Sequence, residues 1–162
     1  METKIIRAQK KELKEMAIIA SESFSGLKEK KDAIKWISCN MAAFPRTQYF
    51  VAKSGKEIAG YILWLEKGGF RKEAVFELEQ IAVKKAFQGQ GIGTKLIEKS
   101  LPEIKNYVEK RGSVLKAIEV STGTDNKAQN LYSKALGAKA ECVVKNLYRG
   151  DEVIMIARFD EK

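Results

Sequence analysis

The chain has no histidine among its 162 residues. That removes histidine-based triads, histidine zinc ligands and a histidine general base together. Any proton transfer must therefore use Glu, Asp, Tyr, Lys, Cys or water, and no metal is expected. Cysteine is nearly as scarce: Cys39 and Cys142 make no metal or redox motif, so both read as packing residues of a reduced, cytoplasmic protein. No run of ~18 apolar residues exists, so neither a transmembrane helix nor a membrane partner is expected. The charged start, Met1-Glu2-Thr3-Lys4, leads into a short strand and does not resemble a signal peptide. Internal repeats, linkers and low-complexity stretches are also missing. With 162 residues, one domain over 1–162 is expected, long enough to bury a core. The formal charge is +9, but the lysines are interspersed with glutamates. This describes a solvated mixed-charge surface, part of which suits a polyanionic small molecule. Nucleic acid is not an expected partner, because no clustered basic patch with stacking aromatics is present.

One stretch stands out, Gln88-Gly89-Gln90-Gly91-Ile92-Gly93-Thr94. It follows an apolar-ending strand candidate, Phe76 to Val83, and opens a helix-like run from Thr94 to Ile97. A strand, a glycine-rich turn and a helix present backbone N–H groups at the positive end of a helix dipole, which suits phosphate. Three glycines let the backbone approach an anion without a Cβ in the way. The order Gly93-Thr94-Lys95 is not the Gly-Lys-[Ser/Thr] ending of a P-loop. Gly89 and Gly91 are followed by Thr94 where a dinucleotide fingerprint needs its third glycine.

Periodicity places the remaining elements. Lys4 to Arg7 reads as a strand, and Leu13, Met16, Ala17, Ala20 and Phe24 mark a helix ended by Ser25-Gly26. Ala33, Ile34, Ile37, Met41 and Phe44 mark a second helix, closed by Pro45. Tyr49 to Lys53 and Ile58 to Leu65 form a hairpin about Ser54-Gly55-Lys56-Glu57. A basic loop follows, Lys67 to Lys72, and then the strand that feeds the glycine turn. The next helix carries Pro102 inside its phase, and Ser100 with Glu103 resembles a fresh capping box, so a kink or restart near Ser100 is expected. Val114 to Val120 is a strand, Asp125-Asn126 caps a helix ended by Gly137, and the last strands run from Ala140 to Tyr148 and from Glu152 to Phe159.

Gln88-x-x-Gly91-x-Gly93, preceded by Ile81-Ala82-Val83 and followed by an apolar helix, resembles the acyl-CoA-binding motif of the GNAT superfamily of N-acyltransferases. The element order β-α-α-β-β-β-α-β-α-β-β is similar to that fold along the whole chain. The resemblance implies an α/β (α+β) protein: a mixed, mostly antiparallel sheet of about 6–7 strands with a splayed parallel pair, flanked by about four helices. Asn126-x-Ala128-x-x-Leu131-Tyr132-x-x-x-Leu136-Gly137 resembles the family's second block. Asn146-Leu147-Tyr148 followed by Glu152-Val153-Ile154-Met155 resembles the tail of ribosomal-protein and other protein N-terminal acetyltransferases. Leu147 stands where that tail usually carries its first tyrosine, and Ser121-Thr122-Gly123-Thr124 lengthens the turn before the helix cap.

By this resemblance the chain is an enzyme that transfers acetyl directly from acetyl-CoA to a primary amine. Gln88, Gly89, Gln90, Gly91, Ile92, Gly93 and Thr94 would hold the pyrophosphate. The backbone of Ile81, Ala82 and Val83 would pair with the pantetheine amides as an added strand does. Asn126 would be a further pantetheine contact or simply a helix cap. Tyr132 would protonate the leaving thiolate. The amine must lose a proton before it attacks. Glu79 is the first choice of base, with Glu77 on the same strand face and Glu119 on the next strand as candidates; two like charges on one face raise one pKa. The tail motif favours a protein N-terminus as acceptor, and the paired glutamates a small polyamine-like amine. A CoA-binding module without turnover is the non-enzymatic alternative. The oligomeric state is open, with a homodimer compatible with the sequence.

Overall fold

The computed structural model describes residues 2–159. The elements are β1 (Thr3–Arg7), α1 (Leu13–Ser23), α2 (Lys30–Ala42), β2 (Thr47–Ser54), β3 (Glu57–Lys67), β4 (Glu73–Val83), α3 (Ile92–Lys110), β5 (Val114–Gly123), α4 (Gln129–Leu136), β6 (Lys139–Val144) and β7 (Glu152–Arg158). The strands form a seven-stranded sheet in the order β1-β2-β3-β4-β5-β7-β6. β4 and β5 are the parallel pair, while β1–β2, β5–β7 and β6–β7 are antiparallel. The mixed, mostly antiparallel α/β architecture expected from the sequence is therefore the one observed. The parallel register runs from Glu73–Val114 to Glu77–Glu119, with a shift after Ala74. Both strands continue beyond that last pair, β4 to Val83 and β5 to Gly123.

The chain forms two compact units. The first comprises the segments up to Trp64 and from Gln80 to Ser100. Its core joins Met16, Ala17, Ile19 and Ala20 of α1 and Ala33 and Ile37 of α2 to Tyr49 and Val51 of β2, Ile58, Tyr61 and Leu63 of β3, and Ala82 of β4. The i, i+3, i+4 spacing puts the α1 residues on one stripe. β2 and β3 are buried at nearly every position, so alternation fails there and continuous apolar runs replace it. Buried polar groups are satisfied locally: Trp64 Nε1 donates to Ser100 Oγ at 2.8 Å, and Ser100 Oγ donates to the Leu96 carbonyl at 2.6 Å.

The second unit comprises Leu65 to Glu79 and the chain from Leu101 onward. Phe76 meets Tyr107 edge-on, with ring centroids 6.5 Å apart. Arg111 forks onto Glu66, its Nη1 donating to Oε2 at 2.8 Å and its Nη2 donating to Oε1. The Glu66 side chain is only 1% exposed. Burial opposes the Arg111 charge less than the Glu66 hydrogen bond favours it, so its pKa lies above the ordinary guanidinium value. Removing the cation takes the forked partner from a carboxylate that stays buried. Arg111→Met is therefore expected to lower unfolding free energy by about 3 kcal/mol, and adding Glu66→Gln to restore much of it. Urea denaturation of the two variants checks this.

Several expectations need correction. α3 is one continuous helix from Ile92 to Lys110 with Pro102 inside it. Ser100 does not start a new helix, because its hydroxyl bonds the Leu96 carbonyl one turn back. α4 begins at Gln129. Asn126 stands before it in a turn, accepting the Ala128 N–H at 2.9 Å. β6 stops at Val144, and Asn146 adopts φ 49°, so Asn146-Leu147-Tyr148 lies in the loop rather than in a strand. Neither cysteine is a packing residue; both are exposed. Cys39 follows buried Ile37 by two residues, about 200° around the helix. Cys142 lies on β6, at the sheet's edge.

Candidate active site

In the first unit, β4 ends at Val83, a single 310 turn spans Lys85–Phe87, and the glycine segment leads into α3. Gly89 and Gly91 have φ of 75° and 73°, a conformation in which L side chains are strained. A Cβ at either position would meet nothing within 4 Å, so these glycines are required by the turn and not by crowding. The first helical bond is Lys95 N–H to the Gly91 carbonyl, at 3.0 Å. Among the described residues, none of the backbone N–H groups from Gly89 to Thr94 has an acceptor. Six consecutive backbone donors thus lie without a hydrogen-bond partner in the protein at the positive end of a 19-residue helix, Ile92–Lys110. Two glutamines brace the turn: Gln88 Nε2 donates to the Val83 carbonyl at 3.0 Å, and Gln90 Nε2 to the Ala86 carbonyl at 3.2 Å. One lone pair of the Val83 carbonyl is thereby occupied within the chain. Ala82 is buried, while Ile81 and Val83 are half-buried.

In the second unit, Glu77 and Glu119 are direct partners in the parallel register. Lys67, the last residue of β3, bridges them: Nζ lies 3.3 Å from Glu77 Oε2 and 2.9 Å from Glu119 Oε1. Burial opposes the charge on Lys67. The hydrogen bond to Glu119 and the fields of both carboxylates outweigh it, so the ammonium is held above its ordinary pKa. Glu79 lies two residues along β4, half-buried like Glu77. Strand alternation puts the two on one face.

Asn126 Nδ2 donates to Thr122 Oγ1 at 2.9 Å. With its side-chain oxygen on Ala128 N–H, this orders the lengthened turn between β5 and α4. Tyr132 lies on α4 and is 6% exposed. Burial pushes its phenol up from 10.0 to about 12. Among the described residues its hydroxyl makes no hydrogen bond. The structure thus brings Glu77 and Glu119 together, and joins Gln88 to the end of β4.

Lys67 joins the carboxylate pair although the sequence places it at the start of the basic loop, because β3 runs two residues past Leu65. The signal was weak: a lysine two positions beyond an apolar run fits a strand end and a loop equally well.

A mixed sheet with one parallel pair, in which a strand enters a turn of unpaired amides at the head of a helix, is an arrangement suited to a phosphate-bearing ligand. The chain belongs to the GNAT acetyltransferase family: the model described as "Acetyltransferase (GNAT) family" matches residues 13–138. An uncharacterised N-acetyltransferase of Methanocaldococcus jannaschii is 29% identical over 125 residues, 75% of this chain and 52% of that protein. The chain therefore spans about half the length of that relative. Among solved structures, the NatC complex bound to Gag peptide and CoA has a chain with TM-score 0.79 and 16% identity, over 99% of this chain and 100% of that one. A spermidine N-acetyltransferase chimera from Vibrio cholerae and hSSAT has TM-score 0.72 and 17% identity, over 98% and 96%. At these identities the structural likeness is one of fold. Among the described residues, no helix is long and apolar enough to cross a membrane.

Proposed function

We propose that this chain is an N-acetyltransferase that moves the acetyl group of acetyl-CoA to a primary amine, with a protein or peptide N-terminal amine as acceptor. The observation that carries the reading is the run of unpaired N–H donors from Gly89 to Thr94 at the head of α3. A pyrophosphate carries the charge and acceptor oxygens that this array lacks. Gln88, Gly89, Gln90, Gly91, Ile92, Gly93 and Thr94 would hold it. The backbone of Ile81, Ala82 and Val83, together with Asn126, would contact the pantetheine arm. The family match runs through segments of both compact units, which supports reading 1–162 as a single acetyltransferase domain.

The cosubstrate supplies a thioester activated for acyl transfer. Of the chain's own residues, Glu79 is the first candidate to take the amine's proton, with Glu77 and Glu119 as the others. Tyr132 holds its proton at neutral pH and gives it, or a hydrogen bond, to the leaving thiolate. The second reading, a polyamine-like acceptor, draws on the carboxylates of β4 and β5, which suit a cation.

Thiol release would be measured against a panel of peptides with different first residues, polyamines, amino acids and aminoglycosides. Each acceptor would be run with single Gln variants of Glu77, Glu79 and Glu119 across pH. The expected result is acceptor-dependent release and a rate that loses its acid limb in one of the three variants. Release that ignores the acceptor would defeat the transferase reading. An unchanged limb in all three variants would hand proton removal to water.

A further inference from the structure

We propose that Lys67 is a specificity-determining residue, an internal ammonium that fills one of two cation seats at the Glu77–Glu119 pair and so restricts the acceptor to amines bearing a single positive charge. The inference rests on the reading above, in which these carboxylates face the acceptor, and it names the substrate class within that reading.

The geometry carries it. Two carboxylates opposite each other in a parallel ladder repel, and a lone pair of this kind attracts a dication. Here one ammonium contacts both, at 3.3 and 2.9 Å. The cluster of two carboxylates and one ammonium keeps a net charge of −1. A peptide's N-terminal ammonium matches that charge, whereas a polyamine brings a second cation to a place already taken. Accessibility agrees: the Glu77 and Glu119 side chains are 19% and 24% exposed and Lys67 38%, so solvent reaches the cluster while its charges remain only partly screened. A purely structural strut would not require that opening.

The test is calorimetric titration of spermidine into the full chain, in the presence of CoA, for wild type, Lys67→Met, Lys67→Arg and Lys67→Met with Glu77→Gln. Lys67→Met is expected to bind spermidine about tenfold more tightly than wild type. Lys67→Arg should restore the wild-type value. Adding Glu77→Gln to Lys67→Met should remove the gain. Equal affinities in wild type and Lys67→Met, including no detectable binding in either, overturn the proposal. A separate control distinguishes the two levels of failure. If Glu77→Gln and Glu119→Gln change peptide KM while Lys67→Met leaves spermidine affinity alone, only the role of Lys67 is wrong. If neither glutamate variant changes peptide KM, the carboxylates do not face the acceptor and the underlying reading of the pair falls too.

Discussion

Tyr132→Phe is expected to lower the rate of acetyl transfer by about tenfold or more, roughly 1.4 kcal/mol per decade, while acetyl-CoA binding persists. The substitution keeps the ring that is buried on α4 and removes only the hydroxyl. That hydroxyl is buried enough to raise its pKa from 10.0 to about 12, so it carries its proton throughout the neutral range. A free thiol has a pKa of roughly 8.5, so a full proton transfer from such a phenol is uphill in water. An apolar environment raises a thiol's proton affinity as well. A thiolate held against Tyr132 would therefore be stabilised chiefly by the hydrogen bond that the protonated phenol donates. The raised pKa has its own check. The tyrosinate absorbance difference between wild type and Tyr132→Phe should titrate near 12 and not near 10. The phenol's contribution to stability is complete below the unfolded value near 10 and is lost as pH rises through about 12. A variant with wild-type turnover would remove Tyr132 from the chemistry.

The second large effect concerns the glycine turn. Gly91 sits at φ 73°, where a β-branched side chain pays heavily. Gly91→Val is expected to weaken acetyl-CoA binding by about tenfold, the equivalent of ~1.4 kcal/mol, by moving the amides out of their array. The rate at saturating acetyl-CoA should change little, as befits lost binding rather than lost chemistry. A Cβ at Gly91 would meet no protein atom within 4 Å apart from its chain neighbours. Backbone conformation is thus the cause, and Gly91→Asn, which tolerates the left-handed region, should retain far more affinity. Equal losses in the two variants would mean that the side chain itself obstructs the ligand.

What could be read from the sequence was local. Gly89 and Gly91 show a backbone requirement directly, since few other residues accept their φ. The stripe of α1 and the stop at Gly137, φ 71°, are likewise written in consecutive residues. The departures occur where a tertiary partner decides. Ser100 resembles an N-cap until buried Trp64 and the Leu96 carbonyl claim its hydroxyl. Asn126 resembles the first cap of α4, yet it closes a separate turn against Thr122. Lys67, Glu77 and Glu119 come from three strands, and only the sheet register makes them neighbours. No pattern within a single strand could have announced that cluster.

The most direct test of the account is to incubate the full chain with acetyl-CoA and the amine panel and to weigh the acceptors by mass spectrometry. The account predicts one added acetyl group on a primary amine of a peptide, placed at the N-terminus by fragmentation and formed in step with thiol release. Acetyl-CoA that binds but acetylates no amine in the panel would contradict it and favour a CoA-binding module without turnover.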